Sequence, residues 1–221
     1  KENFIIASLI LLVVFFSIAS DNFFSIATLT TILNQLPALT IITVGMTLVL
    51  IIGGIDLSVG SVLGFSATVV GVAMLNWGLP LYTACLLGIA SGILCGSMNG
   101  LLVAYLSLPS FIVTLGMLEM ARGLAYITSN SQTVYIGGSI QKLALPMSNT
   151  GISVALLFAI MTVVAGQFIL KRTILGRYII AIGTNEQAAK MSGIDTRPYR
   201  FLILATSGAL AGLAGVFSAA Y

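Results

Sequence analysis

The stretch Gly53-Gly54-Ile55-Asp56-Leu57-Ser58-Val59-Gly60-Ser61 sets one carboxylate beside glycines, between two long uncharged runs. No charged residue lies between Asp21 and Asp56, and none between Asp56 and Glu119. A carboxylate in hydrocarbon costs roughly 2.5–3.5 kcal/mol on insertion scales, so Asp56 must face protein or a water-filled path. Irregular backbone at membrane depth survives only in the same places. Two roles stay open for Asp56. It caps the following helix, its carboxylate taking the amides around Ser58 and Val59, or it lines a polar path with Ser58 beside it. A phosphate-cradling loop does not fit, because no Lys or Arg lies near these glycines. Glu119 and Arg122 stand three apart, the spacing of an intrahelical ion pair. They either only neutralise each other or also line the path. Asn34, Gln35 and Asn99 add polar groups suited to lining or to interhelical hydrogen bonds.

What is missing narrows the chemistry. The sequence has no His, hence no His-based triad, no HExxH zinc site and no histidine proton relay. It has no G-x-S-x-G elbow and no Gly-Lys pair, so a Walker A site is absent as well. No catalytic residue and no metal ligand set can be named, and any ATP must be hydrolysed by another polypeptide. Cys85 and Cys95 lie ten apart in one helical run, about 15 Å along its axis, which bars a mutual disulfide.

These residues sit in an all-α, polytopic transmembrane bundle. The chain is 58% hydrophobic and 7% charged, against about 25% charged residues in a soluble domain. The apolar runs do not alternate as barrel strands would. Seven membrane runs can be read: Phe4 to Ala19, about Thr31 to Ile52, Val59 to Leu75, Leu81 to Tyr105, Phe111 to Ile127, Gly151 to Leu170, and Phe201 onward. The segment 53–58 reads as a broken helix. The first run lacks a clear signal-peptide cleavage site. The stretch from Ser129 to Thr150 is the longest polar connection outside the one described next.

Lys171 to Arg200 holds six of the nine Lys and Arg residues. By the positive-inside rule this loop faces the cytoplasm, and counting back puts the N-terminus there too. The basic residues thus follow membrane topology, and the net charge of +3 carries no message about nucleic acid. Thr184 with Gln187 three places on forms a capping-box signature, and Gly193 is a natural stop. Asn185 to Ser192 is therefore expected as a short surface helix. A two-turn helix alone is marginal in water, so Ala188, Ala189 and Met191 are expected to offer an apolar face to a partner.

Gly88, Gly92, Gly96 and Gly100 repeat every fourth residue, a small-residue face that lets another backbone approach closely. Gly60 with Gly64, and Gly208 with Gly212, are expected to pack in the same way. Leu36-Pro37 followed by Thr43-Val44-Gly45-Met46 echoes Leu108-Pro109 followed by Thr114-Leu115-Gly116-Met117, with opposite direction across the membrane, as an inverted repeat requires.

Val44-Gly45-Met46-Thr47-Leu48-Val49 running into Gly53 to Ser61 resembles the permease subunits of bacterial ATP-binding-cassette importers for simple sugars, the ribose, xylose, galactose and autoinducer-2 group. So does Leu175-Gly176-Arg177-Tyr178 with Gly183, Asn185-Glu186, Ala188-Ala189 and Ser192-Gly193-Ile194. Pro109 to Met117 and Arg122-Gly123 also fit. The resemblance implies a type II importer-like fold, with residues 1–221 forming a single transmembrane permease domain and 171–200 its cytoplasmic coupling loop. Asn185, Glu186, Ala188, Ala189, Met191 and Gly193 would then belong to a coupling helix seated on a cytoplasmic ATPase, which alone uses ATP and Mg²⁺. A second permease copy in the bilayer, as homodimer or heterodimer, and a periplasmic or lipid-anchored sugar-binding protein complete the implied assembly in the bacterial inner membrane. Permeases of this kind continue for several helices beyond the position of Tyr221, so the chain is expected to be incomplete at that end. From the residues themselves, an ion-coupled secondary transporter using Asp56 or Glu119 is the alternative. An intramembrane enzyme would need a nucleophile beside a base, and no such pair is found.

Overall fold

In the computed structural model, residues 2–20, 22–146 and 151–221 are described, and among them the chain is helical with no strand. Lys1, Asp21 and residues 147–150 of the polar stretch lie outside the described residues. The helices are α1 (Glu2–Ala19), α2 (Ile26–Gln35), α3 (Pro37–Ile51), α4 (Val59–Leu75), α5 (Leu81–Tyr105), α6 (Ser110–Thr128), α7 (Gly138–Gln141), α8 (Val154–Arg172), α9 (Ile174–Thr184), α10 (Glu186–Met191) and α11 (Arg197–Ser218).

The local chemistry sets their ends. Ser25 and Ser153 open α2 and α8, their hydroxyls accepting the amides of Thr28 at 3.1 Å and Leu156 at 3.2 Å. Pro37 ends α2 and starts α3, because its ring removes the amide that would bond back into α2, although Leu36 before it keeps helical geometry (φ −79, ψ −18). The two helices meet at a 42° bend.

Seven runs were expected to be membrane helices, and each proves helical. Four of them, α5, α6, α8 and α11, are long and apolar enough to cross a bilayer, and the bent pair α2–α3 brings the number to five if counted as one span. The first and third runs, Phe4–Ala19 and Val59–Leu75, are shorter apolar helices. α1 shows apolar side chains almost all round, the pattern of a helix solvated by lipid.

α11 is the hub, packed on α5, α3 and α4. The expected glycine ladder is where it meets α5. A Cβ on Gly92 would run into the carbonyl oxygen of Gly208 and lie 2.7 Å from the Gly212 Cα. A Cβ on Gly96 would lie 2.5 Å from Leu204 O and 2.8 Å from Gly208 Cα, and one on Gly100 would lie 2.8 Å from Phe201 O. One on Gly88 would meet Ser66 O of α4 at 3.3 Å. Gly208 and Gly212 thus pack as expected. Gly60 and Gly64 do not, since nothing lies within 4 Å of a Cβ on either. The two echoed segments do run in opposite directions: α3 ends beside the 53–58 break, whereas α6 begins there, with Ser110 bonded to Ile55.

Candidate functional site

Between α3 and α4 the chain leaves helical geometry and is held from two sides. Gly53 closes α3 with φ +83, its amide on Leu50 O at 3.0 Å and that of Gly54 on Val49 O at 2.8 Å, the paired bonds of a left-handed helix stop. The extended backbone that follows needs partners, and the first turns of α6 supply them. Ile55 N–H donates to Ser110 Oγ at 3.0 Å and Leu57 N–H to Thr114 Oγ1 at 3.1 Å. On the opposite side lies Asp56, only 5% exposed. Its Oδ1 accepts from the Ser58 amide at 2.9 Å and the Ser58 hydroxyl at 2.6 Å, and its Oδ2 from the Ser207 hydroxyl of α11 at 2.8 Å. Asn99 of α5 donates from Nδ2 to Ser58 Oγ at 3.1 Å, while its own Oδ1, fully buried, has no partner. Asp56 is therefore not the N-cap. Ser58 holds that position, and Asp56 makes an Asx-type turn just ahead of it.

Of the polar residues singled out in the sequence, Asp56, Ser58 and Asn99 converge. Asn34 does not join them: at the far end of α3 it ties α2 to the start of α8, donating to Gly151 O at 3.3 Å and accepting from the Ser153 amide at 2.9 Å. Gln35 beside it is exposed. Glu119 and Arg122 pair at 3.6 Å with side chains 67% and 58% exposed. Arg122 lines a groove of about 500 Å³ between α4 and α6, together with Leu57, Gly60, Ser61, Gly64 and Thr68. The bare glycines Gly60 and Gly64 are what open it. Ser110, Thr114 and Ser207 escaped sequence reading. The i, i+4 pair Ser110 and Thr114 directly after Pro109 was the available signal for α6.

The basic segment folds more fully than a surface loop. Thr173 caps α9, accepting the Gly176 amide at 3.2 Å, and Ile179 and Ile182 are buried against Leu48, Val49 and Ile52. α10 follows at once. Its cap is Asn185, whose Oδ1 accepts the Ala188 amide at 3.0 Å; Thr184 still belongs to α9, so the capping box expected there is not formed. Gly193, with φ +83, ends the helix as expected. Ala189 is buried in the same cluster as Ile182, which corrects the expectation that it is exposed, whereas Met191 is 91% exposed and Ala188 lies open beside it. Glu186 points inward along the surface, accepting from Lys190 Nζ at 2.8 Å, Arg200 Nη2 at 2.5 Å and Thr196 Oγ1 at 3.1 Å.

Burial pushes the Glu186 carboxyl up, but Lys190, Arg200 and Thr196 outweigh it and hold it below the usual carboxylate range. A depressed acid stabilises the folded state above its ordinary pKa and loses that contribution as pH falls through the lowered value. Exchange protection of the amides in 186–194 is thus expected to stay level from about pH 5 to 8 and to drop below about pH 4. Protection that stays level down through that range would show that Glu186 does not hold α10 in place.

Among the described residues no group of three or more His, Cys, Asp or Glu is placed to hold a metal. The arrangement offers a buried hydrogen-bond cluster at the break, a groove lined by apolar residues with Ser61, Thr68 and Arg122 among them, and a short helix docked on the bundle.

Comparison with known proteins gives this a context. A family model described as branched-chain amino acid transport system / permease component matches residues 28–221. The autoinducer 2 import system permease protein of Salmonella typhi is 32% identical over 217 residues, covering 98% of this chain and 62% of that protein. The ribose import permease protein of Haemophilus influenzae is 34% identical over 213 residues, covering 95% of this chain and 66% of its own length. For the fructose import permease protein of Rhizobium meliloti the figures are 32% identity, 92% and 59%. The chain thus spans just under two thirds of the length of these curated relatives. Among solved structures, none matches it significantly. With the match running from α2 to the last residue, the chain belongs to the branched-chain amino acid transport system permease family.

Proposed function

We propose that this chain is the membrane-spanning permease subunit, or most of one, of an ATP-driven importer of monosaccharides or similar small polar solutes. The observation that carries the reading is α10. It is a short helix fixed to the bundle by Ala189 and Glu186 while Ala188 and Met191 stay open, at the end of the bundle where six basic residues gather. That end is cytoplasmic by the positive-inside rule, which puts the N-terminus on the same side. A separate ATPase seats on α10 and uses ATP and Mg²⁺ there. A second permease copy in the inner membrane and a sugar-binding protein on the outer side complete the assembly. The names of the relatives, importers of ribose, fructose and autoinducer 2, support the solute class.

The groove of α4 and α6 is the path in this reading. Glu119 and Arg122 would be costly against lipid, so this face borders water or protein. Asp56 serves the path from behind, as a buried anchor of its inner end.

The test is co-purification of the full-length protein from its native membrane in mild detergent, with partners identified by mass. A stoichiometric ATPase and sugar-binding protein are expected. A protein that comes out alone and moves solute in vesicles without ATP would overturn the proposal in favour of ion coupling at Asp56 or Glu119. As a specific probe, Met191→Glu is expected to weaken ATPase retention by about 2 kcal/mol, the level that marks an interface anchor, with melting temperature unchanged. Retention equal to wild type would remove α10 as the docking element.

A further inference from the structure

α11 reaches both the docking helix and the break. At its start α11 grips α10 through Thr196 and Arg200 on Glu186. Seven residues on, about 10 Å further along the axis, Ser207 grips Asp56. α11 cannot slide freely on α5, because the backbones interlock at Gly92, Gly96, Gly208 and Gly212. α5 in turn holds the break through Asn99 on Ser58. The break therefore lies between two bodies. The α5–α11 pair holds its side chains, and α6 holds its backbone at Ile55 and Leu57.

Asn99 Oδ1 is a buried acceptor without a donor, and such a group keeps its full desolvation cost. A shift of the α5–α11 pair against the break that brings a hydroxyl to Oδ1 removes that cost.

We propose that Asp56 is a positioning residue, the latch by which the α5–α11 pair, driven from α10 through Glu186 and Arg200, moves the 53–58 break. The proposal rests on the permease reading for its driver and on the hydrogen bonds for the latch. It makes the geometry of Asp56 essential and its charge dispensable. In Asp56→Asn, Oδ1 still accepts from Ser58 and Nδ2 donates to Ser207 Oγ, which can accept. Asp56→Ala and Ser207→Ala cut the link.

The experiment is amide exchange at Ile55, Leu57 and Ser58 in full-length permease, alone and bound to its ATPase with ATP and orthovanadate. In the permease alone, Ser207→Ala and Asp56→Ala are expected to speed exchange at these amides about tenfold, the upper end of the net contribution of one ordinary hydrogen bond. Asp56→Asn is expected to match wild type. In the complex, ATP with vanadate shifts this exchange in wild type and in Asp56→Asn but not in Ser207→Ala, although Ser207→Ala still binds the ATPase and hydrolyses ATP. Asp56→Asn behaving like Asp56→Ala would overturn the latch, as would a full ATP-dependent shift in Ser207→Ala. A merely structural role would lower melting temperature, ATP turnover and the shift together, and that outcome overturns it too. A wild-type permease that holds no ATPase would overturn the permease reading, and the measurements on the permease alone would still decide the latch.

Discussion

Gly92→Ala is expected to pry α11 from α5 and to destabilise the bundle by about 3 kcal/mol or more, the upper range for overpacking. The atoms a methyl would meet are the Gly208 carbonyl oxygen and the Gly212 Cα and nitrogen, the latter two at 2.7 Å, and none can rotate away. Gly96→Ala carries the same expectation, with Leu204 O at 2.5 Å and Gly208 Cα at 2.8 Å. The control is Gly64→Ala, where nothing lies within 4 Å and alanine is the better helix former by about 0.8–1 kcal/mol. Thermal melting of the solubilised protein by size exclusion separates them. A melting temperature of Gly92→Ala equal to that of Gly64→Ala would show that the α5–α11 contact is not held backbone to backbone.

The same pair of residues shows what the sequence could reveal. Gly60 with Gly64 and Gly208 with Gly212 have identical spacing, yet only the second pair packs. Spacing reports that a close approach is possible, and the partner decides whether it happens. Gly208 and Gly212 face the ladder of α5; Gly60 and Gly64 face the groove. The spans themselves were legible because hydropathy is a local property. α9 was not, because its eleven residues are embedded in the densest run of charge in the chain, and its apolar face became visible only once Ile179 and Ile182 met Leu48 and Val49. Asp56 was legible as a residue in need of partners. That one partner is Ser207, 151 positions away, was not, since serines in apolar helices are common and most bond their own backbone. Glu186 was read as part of a docking face; that it also pairs with Arg200 is a property of how α10 folds back on α11.

The second large effect is expected at Gly183. It lies in the last turn of α9, and a Cβ there would run into the carbonyl oxygen of Ile51, with the Ile51 carbonyl carbon at 2.9 Å and the Ile52 Cα at 3.2 Å. All three belong to the end of α3, just before the break. Gly183→Ala must therefore lift the α9–α10 junction off the bundle, at a local cost of about 3 kcal/mol, or roughly 100-fold in the opening equilibrium of this segment. The transmembrane core should be spared, because α9 touches α11 little compared with α5 and α3. The expected result is fast amide exchange across 174–194 and loss of ATPase retention, with a melting temperature near wild type. Gly193→Ala sets the scale from the other side, since its cost is only the strain of a left-handed alanine at φ +83, about 1–2 kcal/mol. If Gly183→Ala disturbs the segment no more than Gly193→Ala, the contact with Ile51 is not what seats α10. The force delivered to the break would then have to run through α11 alone.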